Sequence, residues 1–129
     1  AQTLRHLVMA TDTWLGRAIL QLDQPYDPAG LPNDDDDGES AAYDRAVFSA
    51  EAPPFEHVLE VRAGRQRMVS EFLADVTPET LAAPRRNPHA PENPETVLSC
   101  LRTVLEEEWE HHRYAVRDLD ILAEGRRFE

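Results

Sequence analysis

The segment Glu106-Glu107-Glu108-Trp109-Glu110-His111-His112-Arg113-Tyr114 concentrates more titratable side chains than any other part of the chain. Runs of charge of this kind are usually solvated helix faces. On a helix advancing about 100° per residue, however, the apolar stripe of this region is Val97, Leu101, Val104, Leu105, Ala115, Val116, Leu119 and Leu122. Glu108 and His112 fall at its centre, His111 at its edge, and Glu106, Glu107, Glu110, Arg113 and Arg117 away from it. A Glu and a His four residues apart lie one above the other on one face. A carboxylate and an imidazole in an apolar seam are costly unless they pair or bind a metal. Inward-facing i, i+4 pairs are how helical bundles build chelating sites. Two readings therefore stand together: a metal site, or a Glu108–His112 pair satisfied internally or by water.

A metal needs a third ligand. His57 lies at the start of a helix, on the edge of its apolar stripe, and His89 in a proline-rich loop. His6 shares a face with Ala10, Thr13 and Arg17, off the main stripe of its helix. That face suits a ligand only if the helix is wedged between two neighbours, where small Ala10 and Thr13 leave room. Arg65 is a second anomaly. It sits between Val61, Met68 and Val69 near the centre of an apolar stripe, so it must meet either an internal carboxylate or an anionic ligand such as a substrate carboxylate. Cys100, at the stripe's edge, reads as a buried thiol rather than a nucleophile. No Ser/His/Asp arrangement, phosphate loop or dinucleotide fingerprint is visible.

Three long helices must position these groups. The first spans about Thr3 to Leu22, with Leu4, Leu7, Val8, Thr11, Trp14, Leu15, Ala18 and Leu22 at helical spacing before Pro25 and Pro28. The second spans about Pro54 to Val76, with the stripe Val58, Val61, Met68, Val69, Phe72 and Val76. The third spans about Pro94 to Glu124, with Asn93 as a cap, Pro94 at the first position and Gly125 at the stop. Thr77-Pro78-Glu79-Thr80 predicts a capped short turn through Leu81. Residues 23–54 form a long connection with five prolines and the run Asp34-Asp35-Asp36-Asp37. Such length is unusual inside a compact domain, so part of it is expected to be mobile. Tyr43, Val47 and Phe48 are expected to anchor a short turn there. The acidic run lacks the full pattern of a calcium loop and reads as solvated. Residues 84–93 form a proline-rich loop. No segment alternates with period two, so no sheet is expected. The first helix also carries Met9, Ile19 and Leu20 off its main stripe, which argues for a four-helix rather than a three-helix bundle.

The chain has 129 residues, a single domain's worth, and its 41% apolar and 29% charged content is that of a globular protein. Its net charge of -12 disfavours nucleic acid and anionic lipid as partners. All 13 basic residues are Arg, a mark of a GC-rich genome rather than of a function. One cysteine excludes an internal disulfide and a multi-cysteine zinc site, and fits a reducing, cytoplasmic setting. No apolar run reaches the roughly 18 residues a membrane span needs. The opening Ala1-Gln2-Thr3-Leu4-Arg5-His6 carries no signal-peptide pattern and lies inside a helix, as a processed or trimmed start would.

Two segments carry a family resemblance. Leu4-Arg5-His6-Leu7-Val8-Met9-Ala10-Thr11-Asp12-Thr13-Trp14 resembles the second helix of the DinB superfamily, and Glu107 through Leu119 resembles its last helix, in an actinobacterial branch. The resemblance implies an all-α, DinB-like up-and-down helical bundle holding a divalent metal, often zinc or nickel. The implied ligands are His6 from one helix and an i, i+4 pair from the last, here Glu108 and His112. Many members have His at both positions of that pair, so Glu108 weakens any inference about which metal binds. The family's first helix has no counterpart here. The resemblance therefore implies a fragment, or a neighbour supplied by a second copy in a homodimer. It further implies thiol chemistry on a small-molecule substrate: S-transferases using mycothiol or bacillithiol and a mycothiol-dependent maleylpyruvate isomerase belong to this superfamily, and the metal creates the thiolate. Arg65 and Tyr114 are the candidate substrate contacts. A metal-dependent hydrolase and a non-catalytic dimerisation or binding module are the alternatives.

Overall fold

The computed structural model describes residues 2–32 and 42–127; the acidic run Asp34–Asp37 lies outside them. Helix α1 (Gln2–Thr11) buries Leu7, Val8, Met9 and Ala10 and passes without a break into a π-helical segment (Asp12–Ile19). The wider turn brings Asp12 and Thr13 inward as well as Leu15, Ala18 and Ile19, so the face drifts off the 3.6-residue period. The helical run stops at Ile19, short of the expected Leu22, which is exposed. Gln21 adopts a left-handed backbone (φ 57°) that turns the chain, and Pro25 folds back onto Gly16. A Cβ at Gly16 would lie 2.8 Å from that of Pro25, so the return path requires glycine there.

Arginine and aspartate side chains staple the long connection. The buried Arg5 donates to the carbonyls of Ala29 (3.0 Å), Gly30 (3.2 Å) and Ser49 (3.4 Å), and Asp12 accepts the Asp27 amide (3.0 Å). Residues 42–48, with a single turn over Arg45–Val47, press Ala42, Tyr43 and Phe48 onto Met9, alongside Tyr26. Tyr26, Tyr43 and Phe48 meet edge to face at 5.1–5.9 Å. Val47, expected to join them, is exposed. The connection therefore covers Met9, one of the off-stripe residues that argued for a fourth helix.

Helix α2 (Phe55–Asp75) fully buries only Val58 and Arg62, while Met68, Val69 and Phe72 are partly buried against the main core. Thr77 caps the short α3 (Pro78–Ala82) by accepting the Thr80 amide, as its sequence predicts. The expectation of no sheet needs correcting. Strand β1 (Pro84–Arg86) pairs antiparallel with β2 (Pro94–Thr96), Arg85 opposite Glu95. Three-residue strands are too short to show period two. Arg85 donates from Nε to the Ile19 carbonyl (2.9 Å), satisfying the end of the π-helical segment.

Helix α4 (Val97–Arg127) begins at Val97 rather than Pro94 and passes through Gly125. Thr96 and Ser99 cap it reciprocally, each side chain accepting the other's amide (3.1 and 2.9 Å), while Asn93 belongs to the hairpin. The main core is Leu15, Ala18, Ile19, Val97, Cys100, Leu101 and Val104. Helix α1 lies between α2 and α4 and packs on both. This is the wedged position that a ligand at His6 requires.

Candidate metal centre

His6 leaves α1 toward α4 and meets Glu107 and His111. Its Nε2 is 3.0 Å from Glu107 Oε2, and His111 Nε2 is 3.1 Å from the same oxygen. The two imidazole rings lie 4.4 Å apart, centre to centre. One donor atom from each of the three residues falls within 4.8 Å of the others, and all three side chains are partly buried. The hydrogen bond from His6 holds the Glu107 carboxyl below its ordinary value, outweighing burial, and His111 acts in the same direction. Two imidazoles and one carboxylate suit a divalent transition metal and leave positions for other ligands. The donor set therefore fits the group that the resemblance implies.

The structure brings His6 to a Glu/His pair one residue earlier than the expected Glu108 and His112. Glu108 instead accepts two hydrogen bonds from Arg62 of α2, one from Nη1 at 2.6 Å and one from Nη2. His112 is exposed and lies 6.4 Å from the Trp109 ring. The physical reason lies in the stripe. Leu105, Val116, Leu119 and Leu122 are exposed, yet they drew the apparent centre toward Glu108 and His112. Val97, Cys100, Leu101 and Val104 are the positions packed on the bundle, and buried Cys100 moves the centre toward His111.

Arg65 has found an internal carboxylate. Its Nε and Nη2 donate to the two oxygens of Asp12, and Asp27 lies 3.9 Å away. Tyr114 is exposed and meets the His111 ring edge to face at 6.2 Å, with the Arg117 guanidinium over its own ring. His57 and His89 are exposed. His89 touches Trp14 and Tyr43 rather than the centre. Cys100 is fully buried, and burial pushes its thiol up, as an inert core cysteine requires.

A groove of about 640 Å³ borders the centre at His111. Its walls are Leu4, Leu59, Leu105 and Trp109, with Arg62 and Glu108 as the charged pair. Arg62 was not singled out by sequence. The available signal was its spacing, since it lies four residues after Val58, the most buried position of α2, and so on the same face.

The Glu107 geometry sets a pH dependence. Its folded-state pKa is depressed from 4.5, so its stabilisation is present above that value and is lost as pH falls through the folded value. Asp12 runs the other way. Burial pushes its carboxyl from 3.8 up to about 6, so its contribution is full below 3.8 and lost as pH rises through about 6. Chemical unfolding of the metal-free protein against pH is expected to show the acid-side loss, and Glu107→Gln is expected to flatten it while leaving the Asp12 slope intact. An unchanged acid limb in Glu107→Gln contradicts the assignment.

Among the described residues, no helix is long and apolar enough to cross a membrane. A family model described as the DinB superfamily matches residues 1–115. No curated protein and no solved structure matches the chain.

Proposed function

The chain belongs to the DinB superfamily, and from that premise we propose that it is a divalent-metal-dependent S-transferase that uses a low-molecular-weight, mycothiol-type thiol. The observation that carries this reading is the convergence of His6, Glu107 and His111. These three residues would hold zinc or nickel. A metal bound there supplies Lewis acidity that lowers the pKa of a thiol toward the thiolate. A reducing, cytoplasmic setting keeps such a thiol available.

The chain's own residues supply the rest. Both Nε2 atoms face one Glu107 oxygen, so the protons held between them must leave before the set can ligate. Affinity for metal therefore rises with pH. The groove beside His111 offers apolar walls to a small electrophile. Tyr114, edge-on to His111, is the nearer of the two candidate substrate contacts, since Arg65 is engaged by Asp12.

The test is a thioether-forming assay on zinc-loaded protein with a low-molecular-weight thiol and a small electrophile. Turnover is expected to need both metal and thiol and to vanish in His111→Ala. Turnover without thiol moves the assignment to a hydrolase. Equal rates in the parent and His111→Ala remove the centre from the reaction.

A further inference from the structure

We infer that Arg62, acting through Glu108, is a positioning residue that selects which of two Glu/His pairs on α4 faces His6. The doublets Glu107-Glu108 and His111-His112 give α4 two i, i+4 Glu/His pairs, on rows about 100° apart. The two pairs carry the same donors. Exchanging them takes a turn of the helix by about 100° about its axis, and smaller turns bring both rows toward α1.

Core contacts on this face end at Val104, so past it the register set by the core is carried by the helix backbone and by whatever contacts the second half makes. Val97, Cys100, Leu101 and Val104 are buried, whereas the next apolar positions, Leu105 and Trp109, are exposed. The centre sits just past the last buried position. There the fixed contact from α2 is Arg62, whose side chain is 9% exposed and grips both oxygens of Glu108. A two-pronged guanidinium–carboxylate contact sets direction as well as distance. With Glu108 held toward α2, its neighbours Glu107 and His111 are turned to the other side of the row, onto His6. The bridge also closes α2 and α4 around α1, which carries His6.

The register claim stands on this geometry alone; its consequence for metal affinity rests on the proposed function. The test replaces both members of the bridge by apolar residues, Arg62→Met with Glu108→Leu. Removing one member alone would strand a buried charge, whereas an apolar pair of similar volume is often neutral for stability. Thermal unfolding checks that the variant folds, and Arg62→Leu with Glu108→Met provides a second apolar pair should the first fail. Two readouts follow. In the metal-free protein, proton NMR reports the His6–His111 ring contact, which is present in the parent and expected to be lost in the variant. Zinc titration is expected to show affinity lowered by about 10–100-fold, as for other supporting contacts of metal ligands.

Retention of the ring contact in a folded variant overturns the inference, whatever the zinc result. Loss of the contact while neither protein binds zinc upholds register selection and overturns the metal reading. Loss of the contact together with weakened zinc binding upholds both.

Discussion

Replacing His111 by alanine is expected to lower zinc affinity by at least about 100-fold, more than the loss of a supporting contact would. Glu107→Gln and His6→Ala should fall in the same range, because each removes one of the three donors that converge within 4.8 Å. His112→Ala is expected to leave affinity close to that of the parent. His112 lies on the exposed row beside Trp109 and does not face His6. The contrast between His111 and His112 is the informative part, since the two residues are chemically identical and adjacent. Isothermal titration with zinc on the parent and the four variants, repeated at two pH values, measures it. Affinity in the parent should rise with pH, because protons compete with the metal for the donor atoms. Equal losses in His111→Ala and His112→Ala would show that the helix presents both rows, and loss in His112→Ala alone would restore the pair expected from the stripe.

That contrast also marks how far the sequence could be read. Three long helices, the Thr77 cap and the need of Arg65 for a carboxylate were all legible, because each depends on local spacing or on a burial cost that no fold avoids. His6 was legible only through the resemblance. Its face is wrong for a helix with one buried side and right for one wedged between two neighbours, which is a fact of tertiary packing. The Glu/His register was not legible. A helical wheel weights every apolar residue equally, and Val116, Leu119 and Leu122 lie beyond the packed part of α4. Nor did the wheel know that Arg62 would claim Glu108. The π-helical stretch over Asp12–Ile19 was hidden for a related reason. It inserts extra backbone into a turn without any residue type that announces it, and it is what brings Asp12 inward.

Asp12 carries the second large effect. Arg65→Met is expected to destabilise the protein by about 3–5 kcal/mol at neutral pH, the range for breaking a buried ion pair from one side. The Asp12 side chain is 1% exposed, and its partners are the Arg65 guanidinium and the Asp27 amide. Burial already pushes its carboxyl up to about 6 with Arg65 in place. Without Arg65 the charged form loses its main compensation, and the folded-state pKa must rise further. A raised folded-state pKa means that stability is retained on the acid side and lost as pH rises through it. The deficit of Arg65→Met should therefore grow as pH rises above about 6 and be smallest below it, where Asp12 is protonated with or without Arg65. The deficit from a surface ion pair would shrink in the same direction, but only as pH falls toward the ordinary carboxylate value of 3.8, whereas that of the buried pair does so by about 6. Urea unfolding of parent and variant across this pH range separates the two cases. Pairing Arg65→Met with Asp12→Leu should recover most of the loss, since it removes the stranded charge as well as its partner. A deficit that does not change with pH would show that Arg65 stabilises through its other contacts, such as that of its guanidinium with the Met68 sulfur, not through Asp12. A deficit within about 1 kcal/mol at neutral pH would place the pair among exposed ion pairs, against its burial.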